Sequence, residues 1–305
     1  MTGRRVLVTG ATGFIGRQTL APLCRAGADV HAITRGAAPP AVPGVTWHRA
    51  DVKDRAAVGA LIAAVRPADL LHLAWYVDPA LYLTSLENVP WVGATLDLID
   101  TFGRHGGQRV VAAGTSAEYD PSRGACSERE TPLVPATLYA ACKRAVHEAL
   151  AGWAAETGAS AAWGRVFFLY GPGEAPGRLV PQLVRAGLAG RPFALRYPDQ
   201  VRDYMHVADA GAALAALLGS DVRGPVNIAS GDGVSLAHVA AEVGNCLGAP
   251  VVLGPRAPGT DLVPSIVADV SRLRHEVGFA PHYTLTEGLR DTVSWWRVHN
   301  DPVLT

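Results

Sequence analysis

The stretch "VLVTGATGFIG", residues 6–16, decides how this chain is read. Val6, Leu7 and Val8 lead through Thr9 into three glycines, Gly10, Gly13 and Gly16, each three residues apart, and a helical pattern follows in "FIGRQTLAPLCRAG". The run predicts a buried strand, then a tight turn, then a helix ending near Gly27 and kinked at Pro22. A turn this tight needs residues without a Cβ, so that backbone N–H groups can approach a pyrophosphate at the positive end of the helix. An ordinary glycine-rich turn would carry the same three glycines. Their place after the first strand and before a helix is what points to a dinucleotide. Gly10, Thr12, Gly13, Phe14, Ile15 and Gly16 are the expected cradle.

The same rhythm continues outward. "ADVHAITR", "VTWHRAD", "ADLLHLAW", "QRVVAAGT" and "SAAWGRVFFLYGP" read as strands. Helical patterns lie between them, at roughly 54–65, 85–104 and 137–157, the last opened by Thr137. Strands separated by helices imply right-handed crossovers and a parallel sheet covered on both faces, a doubly wound α/β (Rossmann) fold. After residue 170 the pattern loosens into Gly- and Pro-punctuated pieces. We expect a dinucleotide-binding domain over 1–167 plus 201–231, and a smaller α/β substrate domain over 168–200 plus 232–305. A ligand would lie in the cleft between them, at the carboxyl ends of the strands.

Composition narrows the classes. With 305 residues, 49% of them hydrophobic, the chain can bury a substantial core. Twenty-seven Lys and Arg balance twenty-seven Asp and Glu, so no overall field draws it to nucleic acid or to an acidic membrane surface. No stretch is long enough for a membrane span, and the apolar run after Arg4 and Arg5 is too short for a signal-peptide core. Cys24, Cys126, Cys142 and Cys246 lack zinc spacing, and the histidines are scattered. The expectation is a cytoplasmic protein with reduced thiols and no metal.

The second strand selects the cofactor. A site preferring NAD usually ends this strand in Asp or Glu, which accepts from the ribose 2′-OH. Here it ends Ile33-Thr34-Arg35. A carboxylate would repel a 2′-phosphate, whereas the Arg35 guanidinium can pair with one, so NADP is favoured and NAD is the alternative. Asp51 ends the third strand beside Val52, where its carboxylate suits either the adenine amino group or a helix N-cap. Leu73 and Ala74, after the fourth strand, complete the expected cofactor groove.

In "YAACK", Tyr139 and Lys143 stand four apart, on one face of a helix. A phenol is a poor acid at neutral pH, and a nearby ammonium is expected to lower its pKa by stabilising the phenolate. Tyr139 then becomes a proton donor to a carbonyl oxygen receiving hydride, and Lys143 a second contact to the nicotinamide ribose.

These motifs, with Asn88 in the long helix, "GTSAEY", "YGPG", "VRDYMHVAD", "PVNIASG" and "LTEGLRDTVSWW", resemble the extended short-chain dehydrogenase/reductases. That family holds NAD(P)-dependent epimerases, dehydratases and ketoreductases, acting mostly on nucleotide sugars, and the resemblance covers essentially the whole chain. It implies that Thr115, four residues before Tyr119, orients the reacting oxygen beside Tyr139. Relatives that eliminate water carry an Asp-Glu pair after this hydroxyl, and 3,5-epimerising relatives a cysteine in the slot of Ala117. Ser116 and Ala117 stand here instead, which leaves hydride transfer at a carbonyl.

The resemblance therefore implies NADPH-dependent reduction of a nucleotide-linked 4-keto-6-deoxy sugar, of the kind used in deoxysugar biosynthesis, with a nucleotide-sugar 4-epimerase as the alternative. It assigns Arg202 and Arg256 to a nucleotide diphosphate, with Ser116 beside the sugar. Trp75 and Tyr82 fit either a sugar-pocket wall or the core. Phe168 departs from the pattern, because a substrate-binding Asn normally fills its slot. A homodimer through the two long helices is expected by the same resemblance.

Overall fold

The computed structural model describes residues 1–37, 39, 41–249, 251, 253 and 265–299. Twelve strands are found among them: β1 (Arg5–Thr9), β2 (Asp29–Thr34), β3 (Val45–Arg49), β4 (Asp69–His72), β5 (Arg109–Thr115), β6 (Ala125–Cys126), β7 (Ser160–Val166), β8 (Phe168–Tyr170), β9 (Val201–His206), β10 (Gly224–Ile228), β11 (Gly233–Ser235) and β12 (Ser265–Ala268). The α-helices among the described residues are α1 (Gly16–Arg25), α2 (Arg55–Val65), α3 (Asn88–Arg104), α4 (Leu138–Thr157), α5 (Leu179–Leu188), α6 (Val207–Gly219), α7 (Leu236–Leu247) and α8 (Leu285–His299).

Seven strands form one sheet in the order β10-β7-β5-β4-β1-β2-β3, and every pairing in it is parallel. β4 and β5 are buried along their whole lengths, as strands covered on both faces must be. Successive residues of β1 feed opposite layers. Val6 and Val8 join Leu20 of α1 and Leu214 of α6, whereas Leu7 joins Ile62 of α2, Leu98 of α3 and Leu150 of α4. The connections leave β1 and β4 in opposite directions, so a crevice opens where these neighbours end.

The second sheet runs β11-β9-β12-β6, with β8 added against β9. Its helices α5, α7 and α8 enclose Leu183, Val239, Leu289 and Trp296. The sequence boundary at 201 is corrected here. Val201–His206 joins this second sheet, in parallel register with β8 through Phe168↔Tyr204, and only the chain from Val207 to Ile228 returns to the seven-stranded sheet. The physical reason is Asp203, fully buried in β9. Its carboxylate accepts from the backbone N–H of Ser230 at 2.9 Å, Gly231 at 3.0 Å and Ala268 at 3.1 Å, tying β9 to the exit of β10 and to β12. Asp209 performs a similar task in α6, taking the N–H groups of His282 and Tyr283 at 3.0 and 2.9 Å just before α8.

Candidate active site

The glycine turn has the geometry its spacing predicts. Gly10 adopts φ +68°, and a Cβ there would stand 2.7 Å from Ala74 N and from the Leu73 carbonyl carbon. At Gly16 a Cβ would overlap the Gly10 carbonyl oxygen. Gly13 N donates to that same oxygen at 2.9 Å, while Thr12 and Gly13 stay exposed and Phe14 and Ile15 partly so. The turn thus leaves an accessible stretch of backbone at the N-terminal end of α1, which fits a dinucleotide pyrophosphate.

Beneath it, Thr9 Oγ1 accepts from Leu73 N at 3.2 Å and Ala74 N at 3.3 Å, fixing the entry to the β4 loop. His72 joins Thr9 Oγ1 at 2.8 Å to Thr95 Oγ1 at 3.0 Å. Burial, aided by the charge of Lys143, pushes the His72 pKa down to about 3, so a neutral ring bridges the turn to α3.

Arg35 follows β2 directly and is exposed, with no carboxylate at the strand end. Asp51 does not cap the following helix. It closes a turn onto Lys53 N at 2.9 Å, and Asp54 is the N-cap, accepting from Ala57 N at 3.0 Å. Val52 is buried beside them. Pro22 lies within α1, which ends at Arg25 ahead of Gly27 at φ +79°.

Thr115 ends β5, and Thr137 caps α4 by accepting from Ala140 N at 3.2 Å, which places Tyr139 in the first turn. The structure brings Thr115 and Tyr139 together, close enough for the Thr115 hydroxyl to favour the ionised phenol. Tyr82 packs edge-on against Tyr139 with ring centroids 4.9 Å apart. Lys143 Nζ, one turn along, donates to the Ala113 carbonyl at 2.9 Å and lies 3.9 Å from the Trp75 ring centroid.

The expected tuning of the phenol is corrected. Burial dominates and raises the Tyr139 pKa above the ordinary phenol value, with the Thr115 hydroxyl and the charge of Arg178 opposing it. Lys143 is itself pushed down to about 7 by burial, partly offset by Glu118, so its ammonium form is far less favoured than in water. Burial disfavours the charged form of this amine, which reduces its pull on the phenolate.

Glu118 answers a puzzle in "TSAEY": an acid stands three residues after Thr115, yet it points into the core. Its carboxylate accepts from Thr115 N at 2.9 Å, Trp163 Nε1 at 2.9 Å and Arg165 Nε at 2.9 Å. Arg165 also donates to Tyr119 Oη at 3.1 Å, and that hydroxyl donates to Asn227 Oδ1 at 2.7 Å. Gly114 makes room, since a Cβ there would overlap the Trp163 indole. The signal for Glu118 was present in the sequence: Thr-x-x-Glu is the capping-box spacing, and Thr115 and Glu118 close such a box. Asn88, fully buried, holds the β4–α3 loop by accepting from Trp75 Nε1 at 2.8 Å and donating to the carbonyls of Tyr82 and Ser85.

The model of the NAD-dependent epimerase/dehydratase family matches residues 6–229. The chain belongs to that family. Among curated relatives, a dTDP-4-dehydro-6-deoxy-D-allose reductase of Streptomyces sp. is 28% identical, with 97% of each chain covered. A UDP-glucose 4-epimerase of Azospirillum brasilense is 29% identical over 96% of this chain and 92% of its own. Among solved structures, the Thermus thermophilus UDP-glucose 4-epimerase in complex with NAD superposes with a TM-score of 0.83 at 27% identity, covering 96% of this chain and 99% of that one. These likenesses support an enzyme that uses a nicotinamide dinucleotide.

Ser116 lies in the short turn after Thr115, and Trp75 is buried under Lys143. Arg202 lies on β9 with its guanidinium 5.6 Å from the Phe168 ring and donates to Val201 O at 2.8 Å and Gln200 Oε1 at 2.9 Å. Arg256 lies outside the described residues. Arg178 was not singled out by sequence: its guanidinium sits 5.1 Å over the Tyr82 ring and so borders Tyr139. Among the described residues no helix is long and apolar enough to cross a membrane, and no group of His, Cys, Asp and Glu is placed to hold a metal ion.

Proposed function

We propose that the protein reduces a nucleotide-linked 4-keto-6-deoxy sugar to the 4-hydroxy sugar with NADPH. The observation that carries this reading is the juxtaposition of Thr115 and Tyr139 at the carboxyl edge of the sheet that also carries the glycine cradle. Gly10, Thr12, Gly13, Phe14, Ile15 and Gly16 would hold the pyrophosphate, Asp51 and Val52 the adenine side, and Leu73 and Ala74 the middle of the cofactor. A reduced nicotinamide bound there would supply hydride to the ketone carbon. Thr115 holds the ketone oxygen in place. Tyr139 gives that oxygen its proton and recovers one from solvent, so C=O becomes CH–OH. Lys143, freed from Ala113 O, would hold the nicotinamide ribose. Trp75, Ser116, Arg202 and Arg256 are assigned to the substrate, the two arginines to its diphosphate.

Arg35, with no acid at the end of β2, supports NADPH over NADH, and a net reduction over a cycle that must retain its cofactor. The likeness to UDP-glucose 4-epimerases supports the second reading, nucleotide-sugar 4-epimerisation. The proposal includes a cytoplasmic homodimer and a two-part chain, with residues 168–206 and those after 231 forming the substrate side.

One experiment separates the two readings. A nucleotide-linked 4-keto-6-deoxy sugar is supplied with NADPH or NADH, and UDP-glucose in a parallel reaction, with products read by NMR. Stoichiometric oxidation of NADPH with appearance of the 4-hydroxy sugar is expected. Conversion of UDP-glucose to its 4-epimer without net cofactor change would establish the epimerase instead.

A further inference from the structure

One buried acid near the crevice has no part in the scheme above. Glu174, in the loop between β8 and α5, is 7% exposed, and its Oε2 has no hydrogen-bond partner among the described residues. A buried polar group left unpaired is costly, so such an oxygen points to a partner that arrives from outside the chain.

The loop is held against the cofactor side of the crevice. Arg17, the residue after Gly16, donates through Nη2 to Pro172 O at 2.9 Å. Gly173, at φ +75°, leaves the space its guanidinium occupies. With Pro172 and Gly173 fixed over the start of α1, Glu174 turns inward, and its electrostatic neighbours are Arg178 and Tyr204. Arg178 leads directly to the candidate acid, through its 5.1 Å contact with the Tyr82 ring and the 4.9 Å packing of Tyr82 on Tyr139.

Resting on the nucleotide-sugar reading, we propose that Glu174 is a substrate-binding residue whose carboxyl hydrogen-bonds a hydroxyl of the sugar ring beside Tyr139. Burial raises its pKa to about 8 against the attraction of Arg178, so at neutral pH the group is mostly the neutral acid and can both donate and accept.

The test is calorimetric titration of the full-length protein loaded with NADP⁺, using UDP, UDP-glucose, dTDP and dTDP-glucose as probes. The quantity read is the sugar increment, the affinity ratio of each sugar conjugate to its bare nucleotide. Glu174→Ala is expected to cut the increment about tenfold, which is ~1.4 kcal/mol. Bare-nucleotide affinity stays unchanged, and the melting temperature holds or rises because an unpaired buried carboxyl has gone. Glu174→Gln, which keeps a donor and an acceptor, is expected to retain most of the increment. An unchanged increment in Glu174→Ala, or equal loss of bare-nucleotide and conjugate affinity, would overturn the assignment while leaving the functional reading intact. A wild-type protein that binds none of the four probes would overturn the nucleotide-sugar reading, and the assignment of Glu174 with it.

Discussion

Arg165 Nε and Glu118 Oε2 lie 2.9 Å apart with side chains 1% and 0% exposed, and the same carboxylate receives the backbone N–H of Thr115. The strand end that presents the candidate catalytic hydroxyl is therefore anchored to a buried ion pair. Removing one partner leaves a desolvated charge, so Arg165→Met should cost ~3–5 kcal/mol in urea unfolding. The double variant Glu118→Gln/Arg165→Met should recover a large part of it. A loss no greater than that of an exposed pair, below about 1 kcal/mol, would mean the pair does not anchor the strand.

Tyr139 carries the proton in the proposed reaction, and Phe fills its space without the hydroxyl. Tyr139→Phe should lower turnover by about 10²–10⁴-fold, the usual worth of a positioned general acid. NADPH affinity, measured by fluorescence titration, should remain within a few-fold of wild type. Turnover that survives this substitution at the wild-type rate would remove the tyrosine from the mechanism.

The elements that sequence discloses are those whose cause is local. Gly10 and Gly16 are needed by a turn that closes on itself within a few residues, and the Tyr139–Lys143 spacing is a property of a single helical turn. What it hides depends on distant partners. β9 reads as one more strand of the parallel sheet until Asp203 is seen to gather the N–H groups of Ser230, Gly231 and Ala268. The capping-box spacing discloses only the local bond of Glu118 to Thr115, whereas its partner Arg165 is 47 positions away. The direction of the Tyr139 shift escapes sequence for a similar reason. Helical spacing gives the distance between two groups but says nothing of how dry the site is, and burial is the largest cause of the Tyr139 shift.

Arg35 decides between cofactors in the proposed reading, because it follows β2 where a 2′-phosphate would fall. Arg35→Ala should weaken NADPH by roughly 10–100-fold, corresponding to the ~1.5–3 kcal/mol of hydrogen bonds to a charged group, and leave NADH nearly unchanged. The ratio of kcat/KM values for the two cofactors is the measurement. An unaltered ratio would separate Arg35 from cofactor choice and weaken the case for a reductase.

Lys143 gives a prediction in pH. Burial depresses its pKa from 10.5 to about 7 in the folded protein, so between those values the unfolded chain holds a proton that the folded one has released. Stability from this group is therefore lost as pH falls through the window and regained as pH rises, with a slope of at most ~1.4 kcal/mol per pH unit for one proton. Lys143→Met abolishes the dependence but also forfeits the bond to Ala113 O and the contact with Trp75, a cost that does not vary with pH. Urea unfolding of both proteins at intervals from pH 7 to 10 should show the wild type gaining on Lys143→Met as pH increases, since all shared titrations cancel in the difference. Two curves running parallel across that range would mean the ammonium stays fully charged in the fold, and the amine would then be free to act on Tyr139 as its spacing first suggested.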